Sequence, residues 1–268
     1  MRLFDSHCHL QDRAFGAEAD DAVSRAAAAG VTGMLLCGYD ARANDVTLAI
    51  AARHEIVHAA VGFHPHDAKD VGSAELDLLA QQAALPAVVA IGELGLDFYR
   101  DLSPRDQQRQ VLDAQLAIAL AVRKPVSVHS RSAETEILDH LAPFVRQWRG
   151  GGPPGVMHCF GGTLEQARPF VELGFLVSIS CAVTYPANHE ARRLARELPL
   201  EALLVETDSP YLPAQAMRGK RNEPAFVAAA VEAIAAGRGI PATEVAEATT
   251  ANALRAFAIR EPAGAARW

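Results

Sequence analysis

The sequence has few cysteines and no long apolar run. Its four cysteines, Cys8, Cys37, Cys159 and Cys181, include no CxxC pair, which is typical of reduced thiols in a cytoplasm and argues against a thiolate zinc site. No apolar run reaches the ~18 residues that a membrane span requires. The chain also does not open on a basic segment followed by an apolar one. We therefore expect a cytoplasmic protein with no membrane segment.

The sequence also lacks an excess of positive charge. Its formal net charge is −7 with histidine neutral, whereas a module that binds duplex DNA through surface charge is usually basic. This argues less strongly against an enzyme, because bound metal ions bring positive charge to one small place. No GxGxxG or GxxxxGK[ST] motif follows a strand-like run, which argues against a dinucleotide or P-loop site.

Short apolar runs instead alternate with helical patterns along the whole chain. Several runs are apolar throughout, as strands covered on both faces are. The predicted strands are Leu3–Cys8, Gly33–Cys37, Ile56–Gly62, Val88–Gly92, Pro125–His129, Gly155–His158, Phe175–Ser178 and Leu203–Glu206. Eight strand–helix units in 268 residues favour an α/β fold of the closed, TIM-like (β/α)8 barrel type. A doubly wound open sheet is the alternative.

Alanine-rich amphipathic stretches separate the predicted strands. They predict helices at 18–29, 41–53, 73–84, 104–121, 133–142, 163–173 and 187–198, and a final helical region at 223–257. Ser103 and Pro104 predict a helix N-cap followed by proline at the first helical position. No linker or shift in composition marks a boundary. We therefore expect one domain over residues 1–268, of which about 260–268 form a loose tail.

Histidines and carboxylates follow six of the eight predicted strands. They are His7, His9, His64, His66, Glu93, His129, His158 and Asp208. In a barrel of parallel strands the carboxyl ends share one rim, where active sites lie. Each residue alone could be a satisfied buried group or a solvated one. Together they predict a metal site, because burying so many groups without an ion is strongly disfavoured.

The donor set of imidazoles and carboxylates without thiolate suits Zn²⁺, Mn²⁺, Co²⁺ or Mg²⁺. Six candidate ligands exceed the four that a tetrahedral zinc ion needs. They suit two divalent ions about 3.5–4 Å apart with one carboxylate between them. Glu93 lies midway around the predicted rim and is the candidate bridge.

Seven motifs together resemble a known family. They are "LFDSHCHL", "VGFHPHD", "IGELGLDFYR", "PVSVHSR", "MHCFGG", "LLVETDSPYL" and "RGKRNEP". In order and spacing they are similar to those of the TatD-type metal-dependent hydrolases of the amidohydrolase superfamily. The resemblance runs nearly from end to end of the chain. It implies a (β/α)8 barrel, divalent metal and 3′→5′ exonuclease activity on DNA.

The resemblance also implies a division of the ligands. His7, His9 and Asp208 would hold one ion, and His129 and His158 would hold the other. Glu93 would bridge the two ions. Asp208 is the candidate general base toward a water that the metals activate.

Substrate contacts are predicted around the same rim. Arg131, Lys220 and Arg221 would offset phosphate charge, although a basic loop can also be an ordinary solvated surface. His66 would contact the phosphate or the leaving oxygen. His64 would contact the metal ligands without binding a metal itself. These two roles could be exchanged. Tyr211 would stack on a terminal base, which favours single strands or 3′ ends.

The predicted function is therefore a metal-dependent 3′→5′ exodeoxyribonuclease that acts as a monomer. Hydrolysis of a C–N or ester bond in a small molecule is the alternative, and it would not need the basic loop. A non-catalytic metal-binding protein is a third hypothesis. Such a protein should lack the bridge or the base, whereas Glu93 and Asp208 are both present.

Overall fold

The computed structural model describes residues 1–260, in which eight parallel strands form one sheet in chain order. The strands are β1 (Leu3–Cys8), β2 (Val31–Cys37), β3 (Val57–Val61), β4 (Val88–Asp97), β5 (Val126–Arg131), β6 (Gly155–Met157), β7 (Leu176–Ser180) and β8 (Leu203–Glu206). The predicted (β/α)8 barrel is confirmed, and the open doubly wound sheet is excluded because neighbouring strands follow the chain without a switch point. The predicted loose tail lies outside the described residues, except for residue 260.

Helices cover the outside of the barrel and alternate with the strands. They are α1 (Ala19–Ala28), α2 (Ala41–Ala51), α3 (Ser73–Ala83), α4 (Arg105–Val122), α5 (Glu134–Gln147), α6 (Leu164–Glu172), α7 (His189–Glu197), α8 (Ala228–Arg238) and α9 (Ala242–Ala256). Polar side chains fix where several helices begin. Asp40 accepts a hydrogen bond from the Ala43 amide at 2.6 Å and caps α2. Thr163 and Gln166 cap each other's backbone amides at the start of α6.

One predicted cap is wrong. Helix α4 begins at Arg105 with Pro104 as its N-cap, and no side chain caps it. The Ser103 hydroxyl instead donates a hydrogen bond to the His66 carbonyl at 2.6 Å. Ser103 therefore ties the loop after β4 to the loop after β3, beside the carboxyl rim.

The seam between the first and last strands is closed by side-chain and loop hydrogen bonds. Asp5 accepts hydrogen bonds from the Thr207 amide at 2.9 Å and the Thr207 hydroxyl at 2.5 Å. Just beyond, the Asp208 amide donates to the His7 carbonyl at 3.0 Å, and the His9 amide donates to the Ser209 carbonyl at 2.7 Å. The seam therefore fixes His7, His9 and Asp208 relative to one another.

The interior of the barrel is apolar at its amino end and polar at its carboxyl rim. One buried cluster takes residues from seven of the strands, from the end of α9 and from Phe257 just after it. It contains Phe4, Leu35, Cys37, Ala60, Ala90, Val156, Leu176, Leu204, Ala253, Ala256 and Phe257. Residues from seven strands meet in one cluster only inside the barrel. This apolar cluster fills the amino end of the barrel, and the polar site lies at the opposite, carboxyl rim.

Within residues 1–260, no single helix has both the length and the hydropathy of a membrane span. Only Pro224–Arg238 and Ala242–Ala256 reach those values together, as a pair bent by 118°. In the structure α8 and α9 pack against each other and against β8.

Candidate metal centre

The predicted site residues converge at the carboxyl rim, in a cavity of about 1250 Å³. Its walls include most of the predicted ligands and both residues of the second histidine pair, namely His9, His64, His66, Glu93, His129, His158 and Asp208. His7 is fully buried beneath them. Its Nε2 lies 3.1 Å from Nε2 of His9. The structure therefore brings together residues that are as far apart in the sequence as His7 and Asp208.

Glu93 lies at the centre of this cluster, because five imidazoles contact its carboxylate. Oε1 lies 2.8 Å from Nε2 of His158, 3.0 Å from Nδ1 of His129 and 3.3 Å from Nε2 of His64. Glu93 is placed there by β4, which extends to Asp97, beyond the predicted end at Gly92. A register irregularity between Ile91 and Leu94 interrupts the pairing with β5 at this point.

The second oxygen of Glu93 faces a different group of ligands. Oε2 lies 3.4 Å from Nε2 of His7 and 3.5 Å from Nε2 of His9. Nε2 of His9 also lies 3.5 Å from Oδ1 of Asp208. Each Glu93 oxygen therefore faces its own set of donors, as a carboxylate between two cations would.

The donor geometry fits divalent cations. Three groups of ligand atoms, each with its atoms within 4.8 Å of one another, lie around Glu93: His7, Glu93 and His158; His7, His9 and Asp208; and His64, Glu93 and His129. All the donors are imidazole nitrogens or carboxylate oxygens, a set that suits Zn²⁺, Mn²⁺ or Co²⁺.

Hydrogen bonds on the outer side of the rings fix which nitrogen can bind a metal. The Cys37 carbonyl can only accept, so Nδ1 of His9, 2.8 Å away, carries a proton and Nε2 keeps its lone pair for an ion. Asp97 likewise accepts from Nε2 of His129 at 3.3 Å, which leaves Nδ1 free toward Glu93. A partner of this kind both fixes the tautomer and makes the ligand more basic.

His64 has the opposite arrangement. Its Nδ1 accepts a hydrogen bond from the His66 amide at 3.1 Å, so a neutral ring carries its proton on Nε2 and donates it to Glu93. Burial lowers the pKa of His64 to about 4, so the neutral form prevails at physiological pH. This geometry supports the predicted role of His64 as a residue that orients Glu93.

The charged form of the two central carboxylates is favoured by the surrounding imidazoles. Burial opposes ionisation of Glu93, but the positive potential of His158 and the hydrogen bonds from His129 and His158 outweigh it and hold the pKa of Glu93 well below its ordinary value. Burial also opposes ionisation of Asp208, and the hydrogen bond from His9 outweighs it and lowers the pKa of Asp208. Both are therefore anions at neutral pH, the state that a metal ligand requires.

Two further acidic residues belong to the site and were not predicted. Asp97, the aspartate of "GLDFY", is fully buried. It accepts from Nε2 of His66 at 2.8 Å and from Nε2 of His129. Glu206 precedes Asp208 by two residues, and its Oε1 lies 3.6 Å from Nδ1 of His158. Neither Glu206 oxygen has a hydrogen-bond partner among residues 1–260.

We expect Asp97→Asn to weaken metal binding by about 10–100-fold. The asparagine oxygen can still accept from the Tyr99 and Arg100 amides, as Asp97 does at 2.9 and 2.7 Å. The new NH₂ group, however, would meet the N–H groups of His66 and His129. Competition with a chromophoric chelator measures the affinity. Asp113→Asn, at an exposed residue hydrogen-bonded to His140, is the control, and equal affinities for both variants would contradict this role.

The predicted substrate contacts divide into two groups. His66, Arg131 and Tyr211 line the cavity. Arg131 lies over the ring of Tyr99, 4.1 Å from its centroid. The hydroxyl of Tyr211 donates to Asp12 at 2.9 Å.

The other two predicted contacts, Lys220 and Arg221, do not line the cavity. Lys220 is exposed and forms no ion pair within the described part of the chain. Arg221 is ion-paired with Glu18 and Glu223 and lies over the ring of Phe15. Arg221 therefore ties the loop after β8 to the segment that precedes α1.

Glu223 is the anchor of this loop. It accepts hydrogen bonds from Arg25 at 2.7 and 2.9 Å and from Arg221 at 2.9 Å. Burial opposes ionisation of Glu223, but these bonds outweigh it and lower its pKa. A lowered native pKa stabilises the fold above the unfolded-state pKa of about 4.3, and this contribution is lost as the pH falls through the native value.

We therefore expect Glu223→Gln to lower the free energy of unfolding by about 1–2 kcal/mol at pH 7. The difference from wild type should shrink below about pH 4, as the wild-type carboxylate is protonated. Urea unfolding at several pH values measures it, with Glu232→Gln at an exposed residue of α8 as the control. A difference that grows toward acid would contradict this interpretation.

A (β/α)8 barrel whose carboxyl rim gathers histidines around a buried carboxylate belongs to the class of metal-dependent hydrolases. The family model described as TatD related DNase matches residues 4–258. The chain belongs to this TatD-related DNase family, as the motifs implied.

Curated relatives match over nearly their whole length. The 3′-5′ ssDNA/RNA exonuclease TatD of Salmonella typhimurium is 37% identical over 262 residues, which cover 96% of this chain and 99% of that protein. A Bacillus subtilis protein named uncharacterized metal-dependent hydrolase YabD is 35% identical, with 96% and 99% covered. The crystal structure of YJJV, a TatD homolog from Escherichia coli, matches with a TM-score of 0.89 at 33% identity, covering 97% and 99% of the two chains.

Proposed function

We propose that this protein is a divalent-metal-dependent 3′→5′ exonuclease that hydrolyses the phosphodiester bonds of DNA, preferentially in single strands or at 3′ ends. The observation that carries the proposal is the position of Glu93, whose two oxygens face separate groups of imidazoles inside a cavity. The Salmonella relative is named as an exonuclease of single-stranded DNA and RNA, and this name supports the same substrate class.

Two divalent ions would be held by the residues that the geometry groups together. His7, His9 and Asp208 offer one set, His129 and His158 offer the other, and Glu93 lies between the sets. When bound, such ions lower the pKa of a water and offset negative charge on a phosphoryl group. Which of Mg²⁺, Mn²⁺ or Zn²⁺ acts depends on supply as much as on affinity.

The protein's own residues then position the reactants. Asp208 is ionised and partly open to the cavity, so it can accept the proton of the attacking water as general base. It is held in place because its amide donates to the His7 carbonyl. Asparagine at this position would keep the shape of the side chain but could not accept a proton.

Charged groups on the cavity wall suit a phosphate. The side chain of His66 is 28% exposed, and its Nε2–H donates a hydrogen bond to Asp97. This bond fixes the orientation of the ring in the cavity wall. Arg131 supplies a guanidinium at the cavity mouth, and guanidinium geometry matches phosphate oxygens. Tyr211 is 52% exposed there and offers a ring on which a terminal base can stack.

We also propose that the protein acts as a monomer, because the residues of one chain supply every proposed metal ligand. Its four cysteines are free thiols and three of them are buried, which supports a reducing compartment such as the cytoplasm.

End-labelled DNA tests the proposal directly. Metal-loaded protein is incubated with 5′-labelled and 3′-labelled single strands, and separately with a panel of esters and amides. We expect the 3′ label to appear at once as mononucleotide while the 5′ label passes through a ladder of shortened strands, with both abolished by EDTA. Rapid turnover of an amide or ester without DNA cleavage would overturn the proposal in favour of small-molecule hydrolysis.

A further inference from the structure

All four tyrosines of the sequence line the cavity at the carboxyl rim. They are Tyr39, Tyr99, Tyr185 and Tyr211. Only 6% of the residues in this chain are aromatic, so the concentration of every tyrosine around one opening is a property of the site. Two of these rings carry an arginine, Arg131 over Tyr99 and Arg218 over Tyr185.

The cavity continues past one of these pairs. A second depression of about 570 Å³ shares Tyr185 and Asn188 with the main cavity. The remainder of its lining is Pro186, Ala187, Gln215 and Arg218. None of these lining residues is a carboxylate, although the protein as a whole is acidic.

Arg218 is free to bind an anion. Its side chain is exposed and makes no ion pair with any residue from 1 to 260, and its guanidinium lies 5.1 Å from the centroid of Tyr185. The Tyr185 hydroxyl donates to the Pro213 carbonyl at 2.8 Å, which fixes the ring. Arg221, three residues after Arg218, is by contrast neutralised by two glutamates.

An exonuclease must accommodate more than the terminal nucleotide. The 3′-terminal nucleotide would occupy the main cavity beside Glu93, and the strand on its 5′ side has to leave across the rim. Bases stack on aromatic rings and guanidinium planes without sequence preference, and arginine binds phosphate. The Tyr185–Arg218 pair offers both contacts where the second depression adjoins the main cavity.

We infer that the Tyr185–Arg218 pair binds the nucleotide that precedes the 3′-terminal dinucleotide, so that the single strand leaves the metal centre through the second depression. This inference rests on the proposed function and names a substrate-binding subsite within it. The alternative exit path for the strand crosses the opposite lip of the cavity, which carries Tyr99 and Arg131. Asp67, Asp97 and Glu134 line the cavity on that side, whereas the carboxylate beside Asn188, Glu190, is ion-paired with Arg193 at 3.9 Å. The greater negative charge near Tyr99 disfavours a phosphate backbone there.

Oligonucleotide length provides the test. KM is measured for a dinucleotide and for an eight-nucleotide single strand with the metal-loaded wild type and with Arg218→Ala and Tyr185→Leu. We expect the advantage of the longer strand, expressed as the ratio of the two KM values, to fall at least about fivefold in each variant. Tyr185→Phe keeps the ring and should retain most of that ratio.

A second readout does not depend on turnover. Binding of an eight-nucleotide strand with phosphorothioate linkages at its 3′ end is measured at several salt concentrations. Arg218→Ala should reduce the slope of log K against log salt by about 0.7, the contribution of one single-strand phosphate contact. Arg146→Ala, which removes an exposed charge from the last turn of α5, should leave the slope unchanged.

The outcomes separate this inference from the function on which it rests. If the wild type cleaves both oligonucleotides but Arg218→Ala and Tyr185→Leu keep its KM ratio and salt slope, the strand does not leave past Tyr185 and Arg218. The proposed exonuclease function is not affected by that result. Loss of the ratio in Arg131→Ala, with Arg218→Ala unaffected, would assign the path to the opposite lip. If the wild type cleaves neither oligonucleotide, the proposed function itself fails.

Discussion

Replacing Glu93 with glutamine is expected to lower the rate of DNA hydrolysis by on the order of 10³-fold or more. The substitution keeps the size of the side chain but removes the negative charge that five imidazoles share, with contacts of 2.8 to 3.5 Å. An amide presents one acceptor and one NH₂ group, so one of the two ligand groups would face a donor in place of an oxygen.

The same substitution should reduce the metal content of the dialysed protein, measured by elemental analysis alongside the rate. Glu165→Gln is the matched control. Glu165 is an exposed glutamate of α6 paired with Arg193, and its loss should change neither quantity. A Glu93→Gln protein that keeps its metal and at least a tenth of wild-type activity would contradict the bridging role.

Substituting Gly95 by alanine is expected to lower the free energy of unfolding by about 3 kcal/mol or more. Gly95 lies in β4 with a φ of +148°, a conformation that other residues rarely adopt. A Cβ there would lie 1.8 Å from the carbonyl oxygen of His129. Since that atom belongs to the backbone of β5, the clash can be relieved only by separating the strands that hold Glu93 and His129.

Urea unfolding of the metal-free proteins measures this loss without a contribution from bound ions. Gly151→Ala is the control, because Gly151 is exposed, has no positive φ and would place no atom within 4 Å of its new Cβ. We expect its stability to lie within about 0.5 kcal/mol of wild type. Equal stabilities for the two alanine variants would show that β4 and β5 tolerate the extra atom.

The sequence predicted the strands and the location of the site well, for a physical reason. Buried parallel strands are apolar throughout, so a polar group just beyond such a run stands out, as His158 does after β6. Because the carboxyl ends of all eight strands share one rim, the position of a residue in its own strand was enough to predict that His129 and Asp208 lie close to Glu93.

Residues whose role depends on a distant partner could not be predicted in this way. Asp97 follows Glu93 by four residues within an unexpectedly long strand, and only the fold shows that it holds His129. The basic residues of the loop after β8 are evident in the sequence, but which of these cations is unpaired depends on Glu18 and Glu223. Those two partners neutralise Arg221, whereas Arg218 and Lys220 form no ion pair within residues 1–260.

Anomalous diffraction from crystals grown with Mn²⁺ shows whether the Glu93 carboxylate joins two cation positions. We expect two anomalous peaks in the cavity, one in contact with Oε1 of Glu93 and the other with Oε2. A single peak, or none, within reach of that carboxylate would contradict this expectation.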